Sequence, residues 1–217
     1  MTNEEKRGPG RPRVLTHEER KARILDAAEA LFVRQGYAAT SMGDVARASS
    51  MSKKTVYDMF ETKEALFSAL VLSRNEFEPR LLECDTAGKT AREGLQMILQ
   101  KSAELVLAPH QIALTRLVIA ETAKAPELAD QFYKQGIDRA EQALASQFER
   151  LCKQHDLRVD DPKEMVNFFF GAILCDELMD GLMRRPRVSN KRPLSKQISR
   201  LLDIFGPAIG LDDGARS

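Results

Sequence analysis

The segment Ser52-Lys53-Lys54-Thr55-Val56-Tyr57-Asp58-Met59-Phe60 carries side chains suited to contacting another molecule. Val56 and Phe60 are four residues apart, so a short helix can anchor both in a small core. The opposite side of that helix then presents Lys53, Lys54, Tyr57 and Asp58. Ammonium, phenol and carboxylate groups on one exposed face can reach phosphates and base edges. The segment therefore predicts the recognition helix of a helix-turn-helix between about Thr40 and Phe60.

Capping signals predict the elements that must position this helix. Thr16 and Glu19 have the spacing of a capping box, and Gly36 supplies a stop. Ser41, Ser52 and Thr62 can cap the helices that follow. The four predicted helices run from Thr16 to Gly36, from Ser41 to about Ala48, from Lys53 to Phe60, and from Lys63 to beyond Leu72.

Longer helices separated by proline-marked joints are predicted after residue 85. Pro126 and Pro162 stand where a first helical residue belongs. The predicted helices span about 87–107, 109–124, 126–155, 161–185 and 193–206, and no strand alternation competes with them. The fold class is therefore all-α: an N-terminal three-helix helix-turn-helix domain joined to a larger helical ligand-binding and dimerisation domain.

Charge and length favour two unequal domains. Of 217 residues, the first 75 carry 13 Lys or Arg against 10 Asp or Glu, and the remainder carry 20 against 22. We expect a flexible basic arm over 1–15, the helix-turn-helix domain over 16–75 and the second domain over 76–217. Three cysteines with no short ligand spacing, and no apolar run near 18 residues, predict a cytoplasmic protein.

The first domain resembles that of the TetR family of transcriptional regulators. The similarity runs at nearly unbroken register over about 45 residues, through Ile24–Phe32, Gly36-Tyr37, Thr40, Val45-Ala46, Ser52–Tyr57 and Phe60–Phe67. In the later part, Arg116–Glu121 and Pro126–Leu128 resemble the AcrR-like subgroup. The resemblance implies a homodimeric regulator, by family expectation a repressor, that binds a double-stranded DNA operator.

Roles for particular residues follow from this resemblance. Thr40 and Lys63 would bond phosphates, and Lys53, Lys54 and Tyr57 would contact the backbone and base edges. The full set of expected DNA contacts is Arg11, Arg13, Thr40, Ser52, Lys53, Lys54, Thr55, Tyr57, Asp58, Met59 and Lys63. For Lys63, an ordinary solvated lysine is the alternative.

Two departures from the family pattern lie in the predicted helix-turn-helix itself. Asp58 could accept from a cytosine N4 and Met59 could contact a thymine methyl, while pairing of Asp58 with Lys54 is an equal alternative. Ser50 stands where glycine is common. A positive φ there would cost up to roughly a kcal/mol or two.

The N-terminal arm offers a second way to contact DNA. Gly10-Arg11-Pro12-Arg13 is similar to the core of an AT-hook, although Pro9 stands where a flanking arginine is usual. Arg11 and Arg13 could enter a narrow A·T minor groove, or the arm could be a merely basic tail. An architectural A·T-rich DNA-binding protein that uses this arm is the alternative function.

The second domain is expected to bind a ligand and to form the dimer interface. Helix 161–185 is apolar around most of its circumference, and helix 193–206 has a single apolar stripe. Together they suit a four-helix interface between two protomers. A small apolar or amphipathic ligand is expected among the helices of 87–180, with candidate wall residues Leu114, Leu117, Phe132, Phe168 and Phe169, each of which could instead be plain core.

Enzyme chemistry finds no support in the sequence. Cys152 and His155 could form half of a metal site, but two more spaced ligands are lacking. There is no P-loop, dinucleotide fingerprint or nucleophile elbow. We therefore expect no catalysis, no cofactor, no metal and no membrane contact.

Overall fold

The first helix begins and ends at the residues that the sequence marks for those roles. The computed structural model describes residues 15–74, 84–185 and 192–211. Helix α1 (His17–Gln35) opens on the complete capping box of Thr16 and Glu19. It stops at Gly36, whose φ of 89° is readily adopted only by glycine.

Three short helices complete the N-terminal unit: α2 (Met42–Ala48), α3 (Lys53–Met59) and α4 (Lys63–Arg74). Ser41 and Ser52 accept hydrogen bonds from the third helical amides of α2 and α3, and Thr62 does the same for α4. Each cap satisfies an amide that has no partner inside its helix, and so fixes where the helix starts.

The remaining helices confirm the all-α prediction, because the described residues contain no strand. They are α5 (Ala91–Val106), α6 (Pro109–Glu121), α7 (Glu127–Phe132), α8 (Asp138–His155), α9 (Pro162–Leu182) and α10 (Leu194–Phe205), followed by a 3₁₀ turn (Gly206–Ile209). Asp161 caps α9 by accepting from the amides of Lys163 and Glu164.

Several predicted helices differ from the structure at an end or in detail. The helix expected over 87–107 begins at Ala91, after a capping box of Thr90 and Glu93 that sequence reasoning missed, and the helix expected over 161–185 ends at Leu182. The helix expected over 126–155 is helical throughout, but a π-helical turn (Tyr133–Ile137) separates α7 from α8. The helix expected over 109–124 ends at Glu121. No single helix among the described residues is long and apolar enough to cross a membrane; α5 and α6 reach that length only together, and they are bent by 56°.

The buried side chains form two hydrophobic clusters whose border does not follow the chain. The first contains the interior residues of α1 to α4 together with Leu114, Leu117 and Val118 of α6 and Leu128 and Phe132 of α7. The second is built from α5, α8, α9 and α10. Helices α6 and α7 therefore belong in packing terms to the N-terminal unit, although they follow α5 in sequence.

Helices α9 and α10 bury one apolar face and expose another. The buried side chains of α9 are Val166, Phe169, Ile173 and Leu174, and those of α10 are Ile198, Leu201 and Leu202. Large apolar side chains also face solvent on both helices: Phe168 (67% exposed), Met179, Met183, Ile204 and Phe205. The predicted all-round apolar character of α9 therefore corresponds to a core face plus a face that residues 15–74, 84–185 and 192–211 leave exposed.

Candidate nucleic-acid interface and cavity

Helix α3 presents polar side chains from a firmly anchored backbone. Val56 is fully buried and Phe60 is 6% exposed, so both lie in the first hydrophobic cluster. On the other side the exposed residues are Ser52, Lys53, Lys54, Tyr57 and Asp58. This arrangement holds side chains ready for contact on a helix that cannot rotate without unpacking its core.

The Asp58 carboxylate is open to a partner. No ion pair joins it to Lys54 in the part of the chain that the structure describes, and both side chains are exposed. Met59 is only partly exposed, because it packs against the first cluster. The Ser52 and Thr55 hydroxyls hydrogen-bond each other at 2.8 Å.

The loop between α2 and α3 stores some backbone strain. Ser50 has a φ of 58°. The positive φ on which the expected strain energy depended is therefore present. The Ser50 amide bonds to Arg47 and that of Met51 bonds to Ala46, which is the Schellman pattern of a helix end. The position suits glycine, and serine holds it at a cost.

Thr40 is placed inside the domain. Its side chain is 1% exposed, and its hydroxyl donates to the Gly36 carbonyl at 2.8 Å. The Gln35 amide donates to the same hydroxyl oxygen at 3.3 Å. Thr40 thereby ties the α1–α2 turn to the end of α1, and a phosphate contact by this hydroxyl stays a prediction that requires the turn to open.

Lys63 also holds this turn rather than extending into solvent. Its ammonium donates to the carbonyls of Tyr37 and Thr40 at 3.0 Å each, and it lies 4.3 Å from the centre of the Tyr37 ring. Burial, together with the Glu64 carboxylate, raises the pKa of Tyr37 well above its ordinary value. A solvated lysine is therefore not what the structure shows, and phosphate binding by Lys63 stays a prediction.

Sequence reasoning missed Glu121, which holds the same turn from the opposite direction. This last residue of α6 accepts the Ala38 amide at 2.9 Å. A Cβ added to Gly36 would lie 2.8 Å from its other carboxylate oxygen. The Glu121 carboxylate thus accepts a hydrogen bond from an amide of the turn, and the Lys63 ammonium donates hydrogen bonds to carbonyls of the same turn. Eighty-three residues separate Glu121 from Ala38, so no local pattern could have indicated the contact.

A cavity of about 310 Å³ lies between α4 and the helices of the second domain. Its apolar wall includes Val71, Leu105, Phe132, Ile137 and Leu178. Its polar lining comprises Arg74, Lys101, Glu104, His110, Gln111 and Thr115. The size is at the lower end of the range of small-molecule sites, and the mostly apolar wall with a few polar groups is typical of them.

The candidate wall residues lie in four different places. Phe132 lines the cavity. Leu114 and Leu117 lie in the first hydrophobic cluster and Phe169 in the second. Phe168 lies on the surface, in a shallow groove beside Phe205. None of these last four lines the cavity, because helical periodicity identifies burial without indicating the surface against which a residue packs.

Arg11 and Arg13 lie outside the described residues. Within 15–74, 84–185 and 192–211, no group of three or more His, Cys, Asp or Glu side chains could hold a metal ion. The chemistry that the described site offers is hydrogen bonding and charge contact.

Family models match both halves of the chain. Residues 24–70 match the model of bacterial regulatory proteins of the tetR family. Residues 93–207 match that of the C-terminal domain of AefR-like transcriptional repressors. The chain belongs to the TetR family. The helix-turn-helix of this TetR-family regulator is therefore a DNA-binding element of a transcription regulator.

Relatives extend the similarity over most of the TetR-family chain. It is 27% identical to the HTH-type transcriptional repressor Rv1474c of Mycobacterium tuberculosis over 85% of this chain and 90% of the relative. It is 25% identical to the probable acrEF/envCD operon repressor of Escherichia coli over 72% and 75%. These relatives and the family match make this chain a TetR-family transcriptional regulator.

Solved structures share the fold at similar identity. The flavonoid-responsive regulator FrrA superposes with a TM-score of 0.74 at 26% identity, covering 88% of this chain and 97% of that one. A TetR-family regulator from Mesorhizobium loti gives 0.71 at 26% identity, covering 88% and 98%. The helical second domain thus has the architecture of known TetR-family regulators.

Proposed function

We propose that this protein represses transcription by binding a palindromic operator as a homodimer, and that a small molecule releases it. The exposed polar face of α3 on its buried anchor carries the proposal. Residues 16–75 would form the DNA-binding domain, and 76–217 the ligand-binding and dimerisation domain. Two recognition helices related by a two-fold axis would read half-sites about one helical turn apart.

The operator is found by selecting bound sites from random DNA with the purified protein. A palindrome is the expected result. Lys54→Ala and Tyr57→Ala should then weaken binding, and loss of the Lys54 charge should reduce the salt slope by about one per protomer, or about two for the dimer, if that lysine contacts a phosphate. Lys153→Ala is the matched control, because Lys153 is an exposed lysine of α8, a helix whose buried side chains lie in the second hydrophobic cluster, and it pairs with Glu149 one turn away. Equal loss in all three variants would contradict readout by α3.

The arm is tested on the same selected DNA. We propose that Arg11 and Arg13 enter the minor groove beside the recognition helix, as arms of other DNA-binding domains do. Deletion of residues 1–15 should then remove any A·T enrichment that flanks the palindrome while leaving the palindrome itself. Loss of the palindrome on deletion would mean that α3 is not the main reader.

The uncovered apolar face of α9 and α10 supports the homodimer. Phe168 of α9 and Phe205 of α10 line one shallow groove. Met179, Met183 and Ile204 are further exposed apolar side chains on or next to the same two helices. Burial of these side chains against a second copy stabilises association by about 25 cal/mol per Å² of apolar surface removed from water, before the entropy of association is subtracted.

Sedimentation measures this association directly. Phe168→Glu should shift the protein towards monomer and weaken operator binding, because both half-sites must be occupied together. Val33→Glu changes an exposed apolar residue of α1 and should leave the dimer intact. Monomeric wild-type protein at operator-saturating concentration would refute the homodimer.

Release by a ligand is supported by the position of the cavity beside α4. Val71 and Arg74 line it, and Arg74 binds Asp26 and Glu29 of α1. Its carbonyl accepts from Gln111 of α6. A ligand that displaces Arg74 would move α4 relative to α1 and so change the separation of the recognition helices. The effect cannot exceed the difference in ligand affinity between the two states.

A further inference from the structure

The cavity has an apolar body and a polar end supplied by α5 and the start of α6. Val71, Phe132, Ile137 and Leu178 surround the body. Lys101 and Glu104 of α5 and His110 and Gln111 of α6 supply charged and polar groups. The chemistry of the polar end depends on which of these groups already have partners.

Several of the polar groups are committed to other residues. Arg74 donates to Asp26 and Glu29. The Gln111 amide donates to the Arg74 carbonyl, and the Thr115 hydroxyl donates back to the Gln111 carbonyl. The Glu104 carboxylate is exposed and accepts from the Gln100 amide at 2.7 Å.

Lys101 is the lysine of the lining that lacks an ion pair among the described residues, whereas the charge of the Glu104 carboxylate is exposed and screened by water. Lys101 is partly buried, and its ammonium makes no hydrogen bond or ion pair with any residue in the described part of the chain. His110 lies at the exposed rim, and its ring also has no partner there. A lysine offers three donors and no acceptor, and a histidine ring offers at least one donor. The open polar positions of the cavity therefore favour a ligand group that accepts hydrogen bonds and carries negative charge.

Building on the proposed ligand response, we propose that the cavity takes an amphipathic molecule with an anionic head group, bound by Lys101 with His110 at the rim. The apolar body of the ligand would lie against Phe132, Ile137 and Leu178. A cationic ligand would leave the Lys101 ammonium facing a like charge, which a partly desolvated site disfavours. The sequence alone showed no cluster of charges here, because Arg74, Lys101 and His110 come from three different helices.

Two fluorescent probes that differ by a single charged group test the proposal. One is 1-anilinonaphthalene-8-sulfonate, and the other is N-phenyl-1-naphthylamine, which lacks the sulfonate. The chain contains no tryptophan, so probe emission is read without indole background. The full-length protein should bind the sulfonate roughly tenfold more tightly than the neutral probe, as one charge-assisted contact implies.

Variants assign the binding to the cavity and to the charge. Lys101→Met should weaken the sulfonate about tenfold and leave the neutral probe unchanged, whereas the surface control Lys124→Met should change neither. Ala140→Phe, which fills the cavity wall, should weaken both probes. Because these probes also bind exposed apolar surface, circular dichroism and thermal unfolding must show each variant to be folded.

Three results would overturn the proposal: equal binding of the two probes, sulfonate binding that Lys101→Met leaves unchanged, or binding of both probes that Ala140→Phe leaves unchanged. Operator binding is measured separately with and without the sulfonate. Lys101-dependent binding that leaves operator affinity unaltered would support the acidic head group and refute the proposed ligand response. The two failures are therefore distinguishable.

Discussion

Removal of the Glu121 carboxylate is expected to loosen the α1–α2 turn by a predictable amount. Glu121 lies at the C-terminal end of α6, where a negative charge is unfavourable by about 0.3–1 kcal/mol. Its hydrogen bond from the Ala38 amide offsets this cost, since a bond to a charged group contributes about 1.5–3 kcal/mol. We expect Glu121→Ala to lower the free energy of unfolding by about 1–2 kcal/mol.

Glu121→Gln separates the hydrogen bond from the charge. The amide oxygen can still accept from Ala38, and the unfavourable charge at the helix end disappears, so this variant should lose less than about 1 kcal/mol. Urea unfolding followed by circular dichroism measures both variants. Glu61→Ala is the control, because Glu61 is exposed and forms no ion pair among the described residues.

A double-mutant cycle with Gly36 tests the geometry. Gly36→Ala places a Cβ 2.8 Å from a Glu121 oxygen and also strains a φ of 89°. In the Glu121→Ala background only the backbone strain remains, so the two substitutions should couple by about 0.5 kcal/mol or more. Additive effects, or a Glu121→Ala protein as stable as wild type, would refute the reasoning.

Three further predictions concern single sites. Ser50→Gly should stabilise the protein by up to about 1 kcal/mol in urea unfolding, because glycine adopts a positive φ without strain. The greater freedom of glycine in the unfolded chain offsets part of this gain. An equal gain from Ser50→Ala would contradict the prediction. Hydrogen bonds from the Ser41 hydroxyl and amide lower the pKa of Asp44 below its ordinary value. The stability that Asp44 contributes should therefore be full above about pH 4 and be lost as the pH falls through the lowered pKa, so the gap between wild type and Asp44→Asn should close on acidification; a gap that stays constant refutes the assignment. Burial raises the pKa of the Cys152 thiol to about 11, so Cys152 should react with a thiol reagent at least about a hundredfold more slowly in the folded protein than in urea-unfolded protein, where the thiol has its ordinary pKa; equal rates of Cys152 labelling, followed by mass spectrometry, would contradict this.

Local capping signals predicted the starts of α1 to α4 and of α9, whereas the Thr90–Glu93 capping box that starts α5 was missed. Thr16 with Glu19, Ser41 with Asp44, and Asp161 each bond to amides two or three residues away, so sequence spacing alone determines the contact. The same holds for the positive φ expected at Ser50. Features whose partners lie within one helical turn were predictable because chain connectivity had already placed those partners.

Features that depend on distant partners were not predictable. Periodicity indicated that Leu114 and Leu117 face a core, but the core they share belongs to the N-terminal unit rather than to a ligand cavity. Lys63 was expected at a phosphate, and its ammonium binds carbonyls that lie 23 to 26 residues away in sequence. In each case the residue type indicated the kind of contact, burial for the leucines and hydrogen bonding for the lysine. The tertiary fold determined which residue is the partner.

The hydrophobic cluster that joins α1–α4 to α6 and α7 limits how this protein can be divided or recombined. Leu114, Val118 and Leu128 complete the interior of the N-terminal unit, so a segment cut at residue 75 would leave one wall of that interior missing. A chimaera that grafts this DNA-binding segment onto another regulator must carry matching α6 and α7 surfaces with it. The DNA-binding segment and the two helices that complete its interior would then be inherited together, as one exchangeable block with a discontinuous boundary.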